Sequence, residues 1–208
     1  MPASTCTRLA ETAQALIAAS RDATMVVVGD RGLGAFTGLL LGSVAIHLAA
    51  HASSPVLVVR GRSDATAPVV LAADGSPGND GAVGFAFEEA ALRDSELLAL
   101  HVWRNPAKGM PGQMLSPVYD EALVQDEEER VLAEALAGWP EKYPDVVVRR
   151  RLVHAGIRRT LIDATREAQL IVMGSRGRGG FGGLLLGSAS QAVLHHAECP
   201  VAIVPTVS

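Results

Sequence analysis

The chain has 208 residues, 18 basic and 22 acidic side chains, a net charge of -4 and 49% hydrophobic residues, enough for one full core and most of a second. Mild acidity with one dense basic run, Arg149 to Arg151, argues against a nucleic-acid partner, which needs a concentrated basic face. No apolar run reaches the roughly 18 residues of a membrane span, and residues 1–10 do not read as a secretory leader, so the expected location is the cytoplasm with no membrane partner. Cys6 and Cys199 are too few and too far apart for a disulfide framework or a metal site, and Cys199 reads as a packing residue.

In chain order, Leu9, Ala13, Leu16 and Ile17 recur with helical spacing and predict a helix over 8–20. Met25 to Val28 reads as a buried strand, 29–41 as a loop, Ser43 to His51 as a helix and Val56 to Val59 as a strand. Such an αβαβ piece needs strand neighbours or a covering partner. A short polar link, 61–67, precedes the strand Val69 to Ala73, and Asp74-Gly75-Ser76-Pro77 turns the chain into a helix over 79–92. A strand over 97–102 is followed by a proline- and glycine-rich loop at 104–117.

The next helix, 119–137, places Leu123, Val124, Val131, Leu132 and Leu136 inward, puts Asp126 to Glu129 on its wet side, and stops at Gly138. A third strand is expected at 146–150, a helix at 156–168, a strand at 170–173, a helix after Gly187-Ser188, and a last strand at 201–204. His195 and His196 close that last helix as dipole partners or surface residues. Over 68–205, five strands alternating with four helices predict a Rossmann-like α/β domain with a parallel sheet covered on both faces.

The most informative stretch is Gly174-x2-Gly177-x9-Gly187-Ser188. A buried strand, a glycine loop and a helix start make an anion cradle, in which glycines allow close approach and the helix presents orphan N–H groups. The glycines follow a late strand, unlike the dinucleotide fingerprint, and no Gly-Lys-Ser/Thr closes the loop as in a Walker site. The pattern recurs as Gly29-x2-Gly32-x9-Gly42-Ser43, with 16 of 32 positions matching over 29–60 against 174–205.

This spacing, with its IVMGSRG, LLLGS and CPVAIVP flanks, resembles the ATP-binding type of the universal stress protein family. The resemblance implies a five-stranded sheet in the order 3-2-1-4-5. A repeat distance of 145 does not fit twice into 208 residues, so the expectation is a tandem member with a truncated N-terminal repeat. Residues 1–60 would then be a partial copy, 61–67 a linker and 68–205 the complete nucleotide-binding domain. The implied cofactor is ATP, with any Mg²⁺ bound through its phosphates. Asp74 would serve the ribose and base end, and the backbone of Ala72 and Val102 would border adenine. Ala72 departs in type from some relatives, which a backbone contact tolerates.

Gly174, Gly177 and Gly187 would shape the loop, and Ser188 would bind phosphate, with Ser190 beside it. Arg176 and Arg178 lie inside the loop, where each is either a phosphate partner or a solvated side chain. Two further alternatives stay open: Asp74 as a turn carboxylate bonding to the backbone of residues 75 and 76, and Ser188 as a helix cap. No general base, Walker lysine or acidic Mg²⁺ pair is placed by motif, so the expectation is a stress-response or regulatory binding protein, not an enzyme. The rivals are a nucleotide-independent dimerisation module and a weak ATP-hydrolysing enzyme. Val56 to Val59 and Val201 to Val204 are expected to pair with each other or each with a second chain's copy, and a homodimer or larger assembly is expected through these last-strand edges and the truncated repeat.

Overall fold

Six short apolar runs, most of them rich in valine, and one arginine-bearing run at the sheet edge become strands, since β-branched side chains suit a pleated, buried surface. The computed structural model describes residues 9–30, 41–62, 64–104, 121–178 and 186–206. The strands are β1 (Val26–Gly29), β2 (Val56–Val59), β3 (Val69–Ala73), β4 (Leu97–Trp103), β5 (Val148–His154), β6 (Leu170–Gly174) and β7 (Val201–Val204). They form one sheet in the order β1-β2-β7-β6-β3-β4-β5. Neighbours are parallel except β2 and β7, which run antiparallel with Val56 opposite Ile203 and Val58 opposite Val201.

This corrects the expected fold class. The sheet is seven-stranded and mixed, not a five-stranded parallel sheet of order 3-2-1-4-5 preceded by a partial copy. The tandem reading with a truncated first repeat falls with it, because β1 and β2 extend one continuous sheet. The physical reason lies in the edges. Left alone, β2 and β7 would each expose a row of N–H and C=O groups; running in opposite directions, they satisfy one another. Of the two pairings expected for the last-strand edges, with each other or with a second chain's copy, the structure has the first.

One face of the sheet is covered by α1 (Leu9–Ala19), α2 (Ser43–His51), α6 (Ile157–Ala164) and α7 (Ser188–His196), whose Leu48, Leu161, Val193 and Leu194 share a core with Val58, Ile171 and Ile203. The other carries α3 (Asp80–Leu92), α4 (Glu121–Ala135) and α5 (Trp139–Lys142), packed through Phe87, Leu132 and Trp139 against Leu71, Leu97 and Val172. On this second face β1 and β2 are left partly bare, with Val27 55% and Val59 47% exposed. Cys199 is buried in the core, and burial pushes its thiol up to about 12.

Some boundaries moved. β5 begins at Val148, where pairing with Leu97 starts, and continues until His154 meets Trp103, so its first half alone was foreseen. Helix 156–168 divides into α6 and a 3-10 turn at Thr165–Glu167. The short α5 was not expected; Gly138 turns the chain with φ 78, and Trp139 and Tyr143 then stack on Phe87. Gly32, Cys6, most of the 104–117 loop and the first residues of the predicted 119–137 helix lie outside the described residues.

Candidate functional site

From β3 the chain passes to β4 and β5 on one side, then returns to add β6 and β7 on the other. The carboxyl ends of β3 and β6, paired through Ala72 and Met173, therefore flank the point where strand order reverses, the usual ligand crevice of an α/β sheet. Asp74 stands there. Its Oδ1 accepts from the Ser76 N–H (3.0 Å) and the Ser76 hydroxyl (2.8 Å), and its Oδ2 accepts from the Arg178 N–H (2.8 Å). The turn role and the loop-facing role of this carboxylate thus coexist. Gly177 is bare because its neighbour demands it: a β-carbon there would lie 2.6 Å from Asp74 Oδ2.

The loop is pinned at both ends. The Ser175 N–H donates to the Val204 carbonyl (2.8 Å), and the Gly187 N–H donates back to the Ser175 carbonyl (2.7 Å). Gly187 then serves as N-cap of α7 at φ -66, ψ 150, with no side-chain cap, so the first-turn N–H groups face outward without an intrahelical acceptor. A β-carbon at Gly187 would meet nothing nearer than 3.4 Å, hence the fold itself does not require glycine there. Ser188 is exposed on that first turn. Ser190 is buried, and its hydroxyl donates to the Gly174 carbonyl (2.9 Å), bracing the loop from below. Arg176 and Gly177 are exposed, whereas Val102 is buried in β4 opposite Val153.

Three contributors escaped the sequence reading. Asn79 is buried beside Gly174 with its Nδ2 unpaired. His101, only 3% exposed, donates from Nδ1 to the Ala73 carbonyl (2.7 Å) and presents Nε2 to Glu128 Oε2 (2.7 Å). That same oxygen accepts from Arg178 Nη1 (3.0 Å). Glu128 had been assigned to the wet side of α4, yet it stands four residues from both Val124 and Leu132, on the inner stripe; Leu123, assigned inward, is 67% exposed. The cue was a carboxylate in register with an apolar stripe.

Among the described residues no group of three or more His, Cys, Asp or Glu side chains could hold a metal, and no helix is long and apolar enough to cross a membrane. An anion fits an uncapped helix start that opens on a glycine.

The sequence profile of the universal stress protein family matches residues 7–60 and 66–205. A universal stress protein of Mycolicibacterium smegmatis is 47% identical over 197 residues, covering 92% of this chain and 65% of the relative. Universal stress protein Rv2005c of Mycobacterium tuberculosis is 44% identical over 195 residues, covering 90% and 64%. The chain thus spans a little under two thirds of the length of these curated relatives. Among solved structures, a putative universal stress protein of Pseudomonas aeruginosa superposes with a TM-score of 0.62 at 16% identity, covering 98% of this chain and 69% of that one. One from Archaeoglobus fulgidus gives 0.58 at 24% identity, covering 93% and 65%. Both speak to the fold alone. With its strand-loop-helix cradle, its reversed strand order and a profile match over most of its length, the chain belongs to the universal stress protein family.

Proposed function

We propose that the chain binds ATP in the crevice between β3 and β6 and acts as a regulatory or stress-response binding protein, not as an enzyme. The observation that carries this reading is the bond from the Arg178 N–H to Asp74 Oδ2, which sets the carboxylate of one strand end against the glycine loop of the next, beside the uncapped start of α7. Asp74 retains acceptor capacity for a ribose hydroxyl. The backbone at Ala72 and Val102 borders the base. Gly174, Gly177 and Gly187 keep the approach open, Ser188 and the α7 N–H groups take phosphate, and Arg176 and Arg178 balance its charge. Ser190 acts through the brace on Gly174. Mg²⁺ arrives, in this reading, on the nucleotide's phosphates.

Mass spectrometry of small molecules released on denaturing freshly purified protein, with equilibrium dialysis against labelled ATP, tests the proposal. An adenine nucleotide and saturable binding are expected; no saturable binding at millimolar ATP overturns it. Self-association is part of the same proposal, at the bare apolar end formed by Val27 and Val59, and light scattering on the full chain reads it.

A further inference from the structure

We infer that Glu128 and His101 are positioning residues for the β6 loop: one carboxylate oxygen of α4 ties the end of β3, the ring of β4 and the loop arginine into a single latch. For nucleotide affinity the inference rests on the reading above; for loop order it does not.

The geometry is closed on three sides. Glu128 Oε2 receives both His101 Nε2 (2.7 Å) and Arg178 Nη1 (3.0 Å). His101 Nδ1 is committed to the Ala73 carbonyl, one residue before Asp74. Arg178 reaches Asp74 through its backbone N–H. The contact is possible because residue 75 is glycine at φ 66, and a β-carbon there would run into Val131 Cγ1 of α4 and the Arg178 guanidinium. Helix, strand end and loop therefore meet over one bare turn.

The ring contacts carry a proton count. A backbone carbonyl only accepts, so His101 Nδ1 bears hydrogen. Nε2 then faces a carboxylate, which also only accepts when ionised, and a 2.7 Å contact between two lone pairs is repulsive. One further proton must lie between them, on the imidazole or on the acid. With it, the formal charges of Asp74, Arg178, His101 and Glu128 cancel. Without it, the same set is one charge negative beside the proposed phosphate position, and the contact between ring and carboxylate is repulsive.

On the neighbouring elements, His154 of β5 stacks on Trp103 and pairs with Glu121 of α4, and Glu127 of α4 is held by Arg130. Removing the shared carboxylate should lower both loop order and anion affinity.

The test uses the full chain. Protection of the Arg178 amide against hydrogen exchange is measured without nucleotide for wild type, Glu128→Leu and Glu128→Gln, with thermal melts on each. Glu128→Leu should lower protection by about tenfold. Glu128→Gln can donate to His101 Nε2 and accept from Arg178, so its protection should stay near that of wild type. Glu128→Gln also keeps the test intact if Glu128→Leu fails to fold. Unchanged protection in a folded Glu128→Leu, or a loss of about tenfold in Glu128→Gln, overturns the latch. An ATP titration of the same samples separates the two claims: absent binding in wild type defeats the nucleotide reading, whereas the exchange data still decide the latch.

Discussion

The stretches that follow β1 and β6 begin and end alike. The Asp30 N–H donates to the Val59 carbonyl as the Ser175 N–H does to Val204, and the Gly42 N–H returns to Asp30 as the Gly187 N–H returns to Ser175. The glycines that precede α2 and α7 share one conformation, φ -71, ψ 144 against φ -66, ψ 150. What differs is the neighbour. β6 lies beside β3, whose end supplies Asp74, whereas β1 is the last strand of the sheet. Similar sequence makes similar local geometry, but the proposed site needs a second strand end to bring a carboxylate to the loop. The antiparallel junction also points β1 and β6 in opposite directions, so the two glycine stretches open at opposite ends of the sheet.

The comparison can be broken most forcefully at Gly177. Gly177→Val places side-chain carbon against Asp74 Oδ2 and should weaken ATP binding by about a hundredfold, the loss of a charge-assisted bond and of the approach together; calorimetry reads it, and circular dichroism shows whether the fold persists. Next comes the join between the two regions. Gly61 has φ 61, and a β-carbon there would strike the Glu198 backbone, so Gly61→Ala should cost about 1–3 kcal/mol from strain alone, seen as a lower midpoint in urea unfolding.

Gly187→Ala separates fold from function. With no atom nearer than 3.4 Å to its β-carbon, it should melt like wild type and still lose about tenfold in ATP affinity, because the methyl group occupies the phosphate approach. At the position matching Cys199, the first region has Ser54, whose buried Oγ has no hydrogen-bond partner. Ser54→Ala should therefore raise stability by about 1 kcal/mol in denaturant unfolding. The smallest effect is expected at Gly42: Gly42→Val should leave ATP affinity within about twofold, with about one nucleotide bound per chain. A large drop there, or two equivalent sites, would erase the distinction between the regions.

The elements themselves were legible because unbroken runs such as Leu170 to Met173 and Val201 to Val204 admit few readings, and the glycine spacing located the loop. The β2–β7 join was one of two readings left open, since nothing local in VLVV or VAIV says whether these edges meet each other or a second chain, or in what direction. Glu128 hid among four consecutive acids, where composition suggests a wet face and only its register with Val124 and Leu132 tells otherwise. His101 sat in an otherwise apolar strand, and its partners are 28 and 27 residues away. Gly187 was expected to shape the loop, but its φ of -66 is open to any residue, so its backbone angles do not call for glycine.

The antiparallel seam also bears on how the chain reaches this state. Val56 and Ile203 are the partners most distant in sequence among all the paired strands, so closing the seam carries the largest entropic cost of chain closure and is expected to come late in folding. Until it closes, β1–β2 and β6–β7 each present a valine-rich edge, and edges of this kind join readily to those of other molecules. Refolding yield should then decline with protein concentration, in proportion to the time the seam stays open.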